Sequence, residues 1–271
     1  MNLEILIPVR NPTEVFDKTV ESLTLQTDKN FSVLISDNFS TKGQGHIVTA
    51  LEQLSAAGIV ARKIQPPVEL GRVEHWNWLH DQSMADWLKP LFAGDWLEPA
   101  YISRVREIAS ATPACRYIYS NGYTHRANQE PTTGLNPWAG RFNSPEVMQD
   151  VVLRHGMQFG PPSAAAYERQ AFFSAGGYDP KLPIAADSYL FCKLAAQFGA
   201  AGIQDKFVHF IIHAARFSND LPGKRREAFL ENMTYYLKLI RDVRQVGGRI
   251  PVFGFLRLLA RATRDYFCGR T

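Results

Sequence analysis

Cysteine is scarce. Three residues, Cys115, Cys192 and Cys268, are spread through 271 positions. Their odd number and wide spacing exclude a disulfide framework and a cysteine-based metal cluster, and they point to a reducing, cytoplasmic setting. Long apolar runs are missing as well. No stretch approaches the roughly 20 residues of a membrane-crossing helix, and the opening Met1-Asn2-Leu3-Glu4 lacks the basic-then-apolar pattern of a secretory leader. Charge of one sign is not in large excess: 30 Lys and Arg face 26 Asp and Glu, a net +4. That is too mild a balance for a nucleic-acid partner. Several catalytic signatures are also absent. Gly43 and Gly45 have Val48 where a dinucleotide-binding fingerprint needs its third glycine, and neither a phosphate-binding P-loop nor a Gly-x-Ser-x-Gly elbow occurs. What is present is ordinary globular composition, 45% hydrophobic and 21% charged. This excludes disorder and fibrous repeats. The length is about 1.8 typical domains, enough for a sizeable core.

The first half alternates strand-like and helix-like segments. Leu3 to Val9, Phe31 to Ile35, Val60 to Ile64 and Trp87 to Phe92 read as strands. Helices are expected from Asn11-Pro12, with Asn11 as cap, and over Ile47 to Ala57, Val73 to Ala85 and Ala100 to Ala111. Such alternation implies an α/β fold with parallel strands covered on both faces. In such sheets ligands bind beyond the carboxyl ends of the strands. Those ends are Pro8–Asn11, Ser36–Ser40 and Ala93–Asp95. Further along, a strand over Tyr117 to Ser120 leads into a Gly, Asn and Pro-rich loop reaching about Asn143. Ser144-Pro145-Glu146 restarts a helix. Gly176-Gly177-Tyr178-Asp179-Pro180 is a turn, Ala185 to Phe198 a helix and Phe207 to Ile212 a strand. Two helical stretches follow from Pro222, broken at Gly247-Gly248 and Pro251.

Four segments carry a resemblance. Ile5-Leu6-Ile7-Pro8-Val9-Arg10-Asn11 with Ser22-Leu23 and Gln26-Thr27 is like an "IPxxN…SLxxQT" opening, and Ser36-Asp37-Asn38-Phe39-Ser40-Thr41 is like a "DDxST" strand end. Gly71-Arg72 through Trp76-Asn77 to Leu91-Phe92-Ala93-Gly94-Asp95-Trp96-Leu97-Glu98-Pro99 is like "GxxxxxN…LxADDxLxP". Gly176-Gly177-Tyr178-Asp179 followed by Ala186-Asp187 is like "GGFDE…DxDL". In this order and spacing the set resembles the inverting family 2 glycosyltransferases with the GT-A fold, over roughly residues 1–220.

The resemblance implies a GT-A mixed sheet with helices on both faces, a nucleotide-sugar donor and a metal-assisted single displacement. Pro8, Arg10, Asn11 and Gly94 would approach the nucleotide. Asp37 is suited to accept a hydrogen bond from a uracil imide or a ribose hydroxyl, although an Asp there also serves as a turn cap. Arg72 can hold a diphosphate through its forked donors, or simply sit solvated at a helix start. Asp95 would hold a magnesium or manganese ion. This chain departs from the family there, with Phe92 and Gly94 where acidic residues are usual. The bland alternative for Asp95 is a turn cap. His213 matches a family position near the metal or diphosphate, or is structural. Asp187 would be the base that accepts the acceptor hydroxyl's proton, with Asp179 a competitor and Glu168 an outside candidate. Trp138 is placed to stack on a sugar, while Trp76, Trp78 and Trp87 read as core.

The C-terminal segment is distinct. Arg249, Arg257, Arg261, Arg264 and Arg270 interleave with apolar residues such as Phe253, Leu256 and Leu259. A basic amphipathic helix suits an anionic membrane surface, or equally a homodimer or the catalytic domain itself. The expected organisation is a catalytic domain over 1–220 and a helical C-terminal extension over 221–271. The expected activity is transfer from a UDP-sugar to a hydroxyl of a glycan or lipid-linked acceptor in surface polysaccharide synthesis, at the cytoplasmic face of the membrane. Two alternatives stand at this point: a nucleotidyltransferase, and a non-catalytic relative that binds nucleotide or sugar.

Overall fold

β1 (Leu3–Val9) reads LEILIPV, an almost unbroken apolar run. Its side chains divide between two cores: Leu3, Ile5, Ile7 and Val9 enter one, and Leu6 enters the other. A strand buried on both faces needs helices on both faces, so its sequence cannot alternate with polar residues. The computed structural model describes residues 1–134, 136, 138–155, 159–212, 225–247 and 260. Within them β2 (Ser32–Asp37), β3 (Val60–Ile64) and β4 (Trp87–Pro90) lie parallel to β1 in the order β3-β2-β1-β4.

Beyond β4 the sheet changes character. β9 (Ala165–Glu168) runs antiparallel to both β4 and β6 (Tyr117–Arg126). Two reversals restore the direction, so β6 and its parallel neighbour β10 (Ala200–Ile212) point the same way as β1. The carboxyl ends of β1, β2, β4, β6 and β10 therefore share one edge. β5 (Trp96–Leu97) closes the far side against β10, while β7 (Thr132–Gly134) and β8 (Phe142–Asn143) pair with β6 and β10. The result is the mixed sheet of a GT-A fold.

Helices α1 (Glu14–Thr24), α2 (Gln44–Ala56) and α4 (Tyr101–Ala111) cover the Leu3/Ile5 face. The Leu6 face carries α3 (Arg72–Asp81), α5 (Pro145–His155), α6 (Arg169–Ser174), α7 (Ala186–Phe198) and α8 (Arg225–Gln245). α8 docks by a stripe at helical spacing, with Ala228, Tyr235, Leu239 and Val243 all buried.

Several boundaries differ from expectation. α1 starts at Glu14 rather than at the Asn11-Pro12 pair, because Asn11 adopts φ 51 and commits its side chain to the neighbouring loop. β4 stops at Pro90, and the chain then turns through Gly94 at φ 100. β6 runs to Arg126, and β7 and β8 occupy part of the expected loop. β9 was not anticipated: its Ala-rich sequence carries no strand signature. β10 starts at Ala200, and register shifts between Ile203 and Val208 break the pattern in its middle. His213 and the arginines Arg249, Arg257, Arg261, Arg264 and Arg270 lie outside the described residues. Among the described residues no helix is long and apolar enough to cross a membrane.

Candidate active site

The turns after β1, β2 and β4 meet at the shared carboxyl edge around a cleft of about 700 Å³. Pro8, Arg10, Arg72, Asp95 and Asp187, singled out in the sequence, all line it. Asn11, Asp37 and Gly94 lie beside it and are not part of its lining. Each has a structural employment. Asn11 receives Thr41 N–H at 2.8 Å on its side-chain oxygen and donates its own N–H to Ser40 Oγ at 2.8 Å, tying the first two turns together. Its left-handed backbone is one that Asn tolerates better than most residues. Gly94 donates its N–H to Thr19 Oγ1 at 2.8 Å, and its φ of 100 is a conformation that favours glycine.

Asp37 is 2% exposed. One carboxylate oxygen accepts Ser40 N–H at 3.0 Å and the other pairs with Lys63 Nζ at 3.0 Å. Burial works to raise its pKa, but the Ser40 hydrogen bonds and the Lys63 ammonium outweigh it and hold the carboxyl below the usual range. Next to it, Asn38 lines the cleft and grips the backbone of Leu70 twice, Nδ2 donating to its carbonyl at 2.8 Å and Oδ1 accepting its N–H at 3.0 Å. That fixes the approach to α3.

Arg72 opens α3. Its guanidinium lies 4.8 Å from the Trp76 ring centre and donates to the Pro183 carbonyl just ahead of α7. One turn along, His75 shares a 2.7 Å hydrogen bond with Ser36 Oγ, and burial pulls its pKa down to about 4, leaving a neutral imidazole in the cleft wall. Across from it Asp187 sits in the first turn of α7, half-buried, one oxygen accepting Ser188 N–H at 2.7 Å. Burial raises its pKa more strongly than Ser188 and Arg72 lower it. Asp187 is therefore a carboxylate whose proton affinity is increased in a cleft, the arrangement expected of a general base. Asp179 does not line the cleft; it pairs with Lys238 of α8 and accepts Lys181 N–H at 2.9 Å. Glu168 lies opposite Trp87, at the other end of β4, and pairs with Arg116. Trp138 packs against His155 at 5.1 Å between ring centres.

Asp95 is 7% exposed, with Oδ2 receiving Ser163 Oγ–H at 2.6 Å and Oδ1 receiving Ile211 N–H at 3.0 Å. Near it, and bonded to the same Ser163, lies a fully buried lysine. Lys89 Nζ donates to the carbonyls of Pro90, at 2.9 Å, and Ser163, and burial pushes its pKa down to about 7 against the pull of Asp95. Among the described residues no group of three or more His, Cys, Asp or Glu side chains converges on a metal position. A carboxylate oxygen carries two lone pairs, so one hydrogen bond does not exhaust it. The donor set at Asp95 fits a magnesium or manganese ion only as one hard ligand, the remainder coming from phosphate and water.

Some cleft residues escaped the sequence reading. Pro161 and Pro162 reach it by a long-range contact with no local motif, and the buried Ser163 next to them holds Asp95. His75 was legible in principle, since it shares a helix face with Arg72 and Trp76. Lys89 could have been flagged as a lone charge inside the run Trp87-Leu88-Lys89-Pro90-Leu91.

The profile of glycosyl transferase family 2 matches residues 4–173, spanning β1 to α6 and most of the cleft. The chain belongs to glycosyl transferase family 2. This family 2 transferase matches no curated protein in a search of those sequences. Solved structures share its fold. S. aureus TarS in complex with UDP superposes with a TM-score of 0.65 at 13% identity, covering 99% of this chain and 72% of that one. The TarS complex with UDP-GlcNAc gives 0.65 at 12%, covering 98% and 82%. The mannosyltransferase PcManGT from Pyrobaculum calidifontis, in complex with GDP-Man and Mn2+, gives 0.61 at 15%, covering 98% and 69%. At such identities the likeness concerns the GT-A fold, and family membership makes the chain a glycosyltransferase.

Proposed function

We propose that this family 2 transferase moves a sugar, with inversion, from a UDP-sugar to a hydroxyl of a glycan or lipid-linked acceptor in the synthesis of a surface polysaccharide. The observation that carries the reading is the meeting of Arg72, Asp95 and Asp187 on one cleft at the carboxyl edge of the sheet. The TarS complexes with UDP and UDP-GlcNAc support the choice of donor.

Arg72 and the Pro8–Arg10 turn hold the nucleotide and its diphosphate, with Asn11, Asp37 and Gly94 shaping that wall. Asp187 takes the proton of the acceptor hydroxyl while that oxygen bonds to the anomeric carbon. The bond from that carbon to the diphosphate oxygen breaks at the same time, and the nucleoside diphosphate leaves with the electron pair. One displacement inverts the anomeric centre. The raised pKa of Asp187 makes it a better proton acceptor than an exposed aspartate. A manganese or magnesium ion held by Asp95, with His213 as the second candidate, would supply Lewis-acid stabilisation of the leaving diphosphate. Residues 1–220 form the catalytic unit and 221–271 a helical extension, whose basic end suits the cytoplasmic membrane surface or a second copy of the chain.

The test is calorimetry with UDP, with and without manganese, followed by mass spectrometry of products from a panel of nucleotide-sugars and, separately, from nucleoside triphosphates mixed with sugar 1-phosphates. Micromolar UDP binding and release of nucleoside diphosphate are expected. Release of pyrophosphate would make the chain a nucleotidyltransferase, and no binding in either condition would make it a non-catalytic relative.

A further inference from the structure

The helix that carries Asp187 has no cap of its own. Its cap position is Ala185, which has no side chain able to receive a hydrogen bond from the first turn. The backbone that enters the helix is held instead from α8. Glu231 Oε1 receives the N–H groups of Ile184 and Ala185 at 2.6 and 2.7 Å. The same stretch is held from the other side, where Arg72 donates to the Pro183 carbonyl. Asp187 and Glu231 both act on the Arg72 guanidinium, so the three charges form one group. The three residues Pro183 to Ala185 are thus clamped between the start of α3 and the second turn of α8.

The clamp is specific in a way that general docking of α8 is not. The stripe of Ala228, Tyr235, Leu239 and Val243 already buries the helix, and Lys238 with Asp179 adds a tie further along. Glu231 contributes something else: a half-buried carboxylate whose oxygen takes two backbone donors within three residues of the proton acceptor. A charge-accepted hydrogen bond is shorter and stronger than a neutral one. Two of them on one oxygen fix the position and direction in which α7 begins.

We propose that Glu231 is a positioning residue for Asp187, which makes α8 part of the catalytic apparatus. The inference rests on Asp187 being the base, and the experiment separates the two claims. Glu231→Ala, Glu231→Asp, Glu231→Gln and Lys238→Met are compared with the parent chain for melting temperature, UDP affinity by calorimetry and kcat by nucleoside diphosphate release. Misplacing a reacting group by about 1 Å costs up to roughly a hundredfold in rate. Glu231→Ala should therefore lower kcat by about ten- to a hundredfold with UDP affinity nearly unchanged. Glu231→Asp keeps the charge and withdraws the oxygen by one methylene, so it should lower kcat even if the alanine variant fails to fold. Glu231→Gln retains an acceptor oxygen and should restore most of the rate. Lys238→Met should lower the melting temperature and leave kcat close to that of the parent. In an Asp187→Asn background, Glu231→Asp should cost nothing further. Parental kcat in both Glu231→Ala and Glu231→Asp, with Asp187→Asn inactive, would overturn the role of Glu231 alone. An equal loss of kcat in Lys238→Met would reduce Glu231 to a docking contact and overturn it too. An active Asp187→Asn would overturn the base assignment itself.

Discussion

Asp37 and Asp179 differ from Asp187 and Glu231 although all four are at least half-buried or better and all sit near the same cleft edge or the helices behind it. Burial pushes every one of them upward in pKa. In the first pair a hydrogen-bond donor together with a lysine outweighs it. Ser40 and Lys63 bring Asp37 below its ordinary value, and Lys238 and Lys181 do the same for Asp179. In the second pair the compensation is incomplete: Ser188 and Arg72 do not offset burial at Asp187, nor do the two backbone donors and Arg72 at Glu231. A carboxylate matched to its own lysine is committed to structure. One that shares a single arginine with a second carboxylate keeps its affinity for a proton.

The comparison breaks most severely at the shared arginine. Arg72→Met removes a charged donor from the cleft wall proposed to hold the diphosphate, and such hydrogen bonds contribute about 1.5–3 kcal/mol. UDP affinity should fall by roughly tenfold or more, read by calorimetry. With its cation gone, Asp187 should also titrate higher, and the acid limb of kcat should move upward in pH. Next in size is the turn that separates the two walls. Gly94→Ala forces a β-carbon onto a φ of 100 and should cost about 1–3 kcal/mol of stability by denaturant unfolding. Smallest is Lys63→Met. It leaves Asp37 with its Ser40 bonds but no cation; Lys63 is a third exposed and partly screened by water, so the cost should be about 1 kcal/mol at neutral pH and less under acid conditions that protonate Asp37.

The sign of the pH dependence separates the pairs further. Asp37 and Asp179 have lowered pKa values, so the stability they supply is present above 3.8 and lost as pH falls through their lower folded values. Asp187 is raised, so on acidification it takes up its proton above 3.8, before the others. Turnover should therefore be lost on acidification before circular dichroism reports unfolding. Coincident losses would erase the distinction between the pairs.

Part of the fold was legible because burial on both faces leaves a plain mark: β1 falls where its apolar run and flanking turn place it, whereas β3, at the sheet edge and largely exposed, was placed by its spacing between helices. β9 was hidden because Ala164-Ala165-Ala166 has neither alternation nor branched side chains, and its place in the middle of the sheet is a long-range outcome. In the cleft, Arg72, Asp95 and Asp187 were readable from motifs at strand and helix ends. Asn11 was misread as a cap because Asn followed by Pro is a helix start locally, whereas the loop after β2 claims its side chain. Ser163 and Glu231 were invisible, since each acts on a segment far away in sequence, Ser163 on Asp95 and Glu231 on Ile184 and Ala185.

The most direct test sets one carboxylate of each kind side by side. Asp187→Asn and Asp179→Asn are assayed for UDP binding by calorimetry, for melting temperature, and for nucleoside diphosphate release with the donor that the parent uses. Loss of a general base costs about 10²–10⁴ in rate. Asp187→Asn should bind UDP as the parent does and lose turnover by that factor without losing stability, while Asp179→Asn should melt earlier and still transfer. Parental turnover in Asp187→Asn, or loss of transfer in Asp179→Asn alone, would contradict the account.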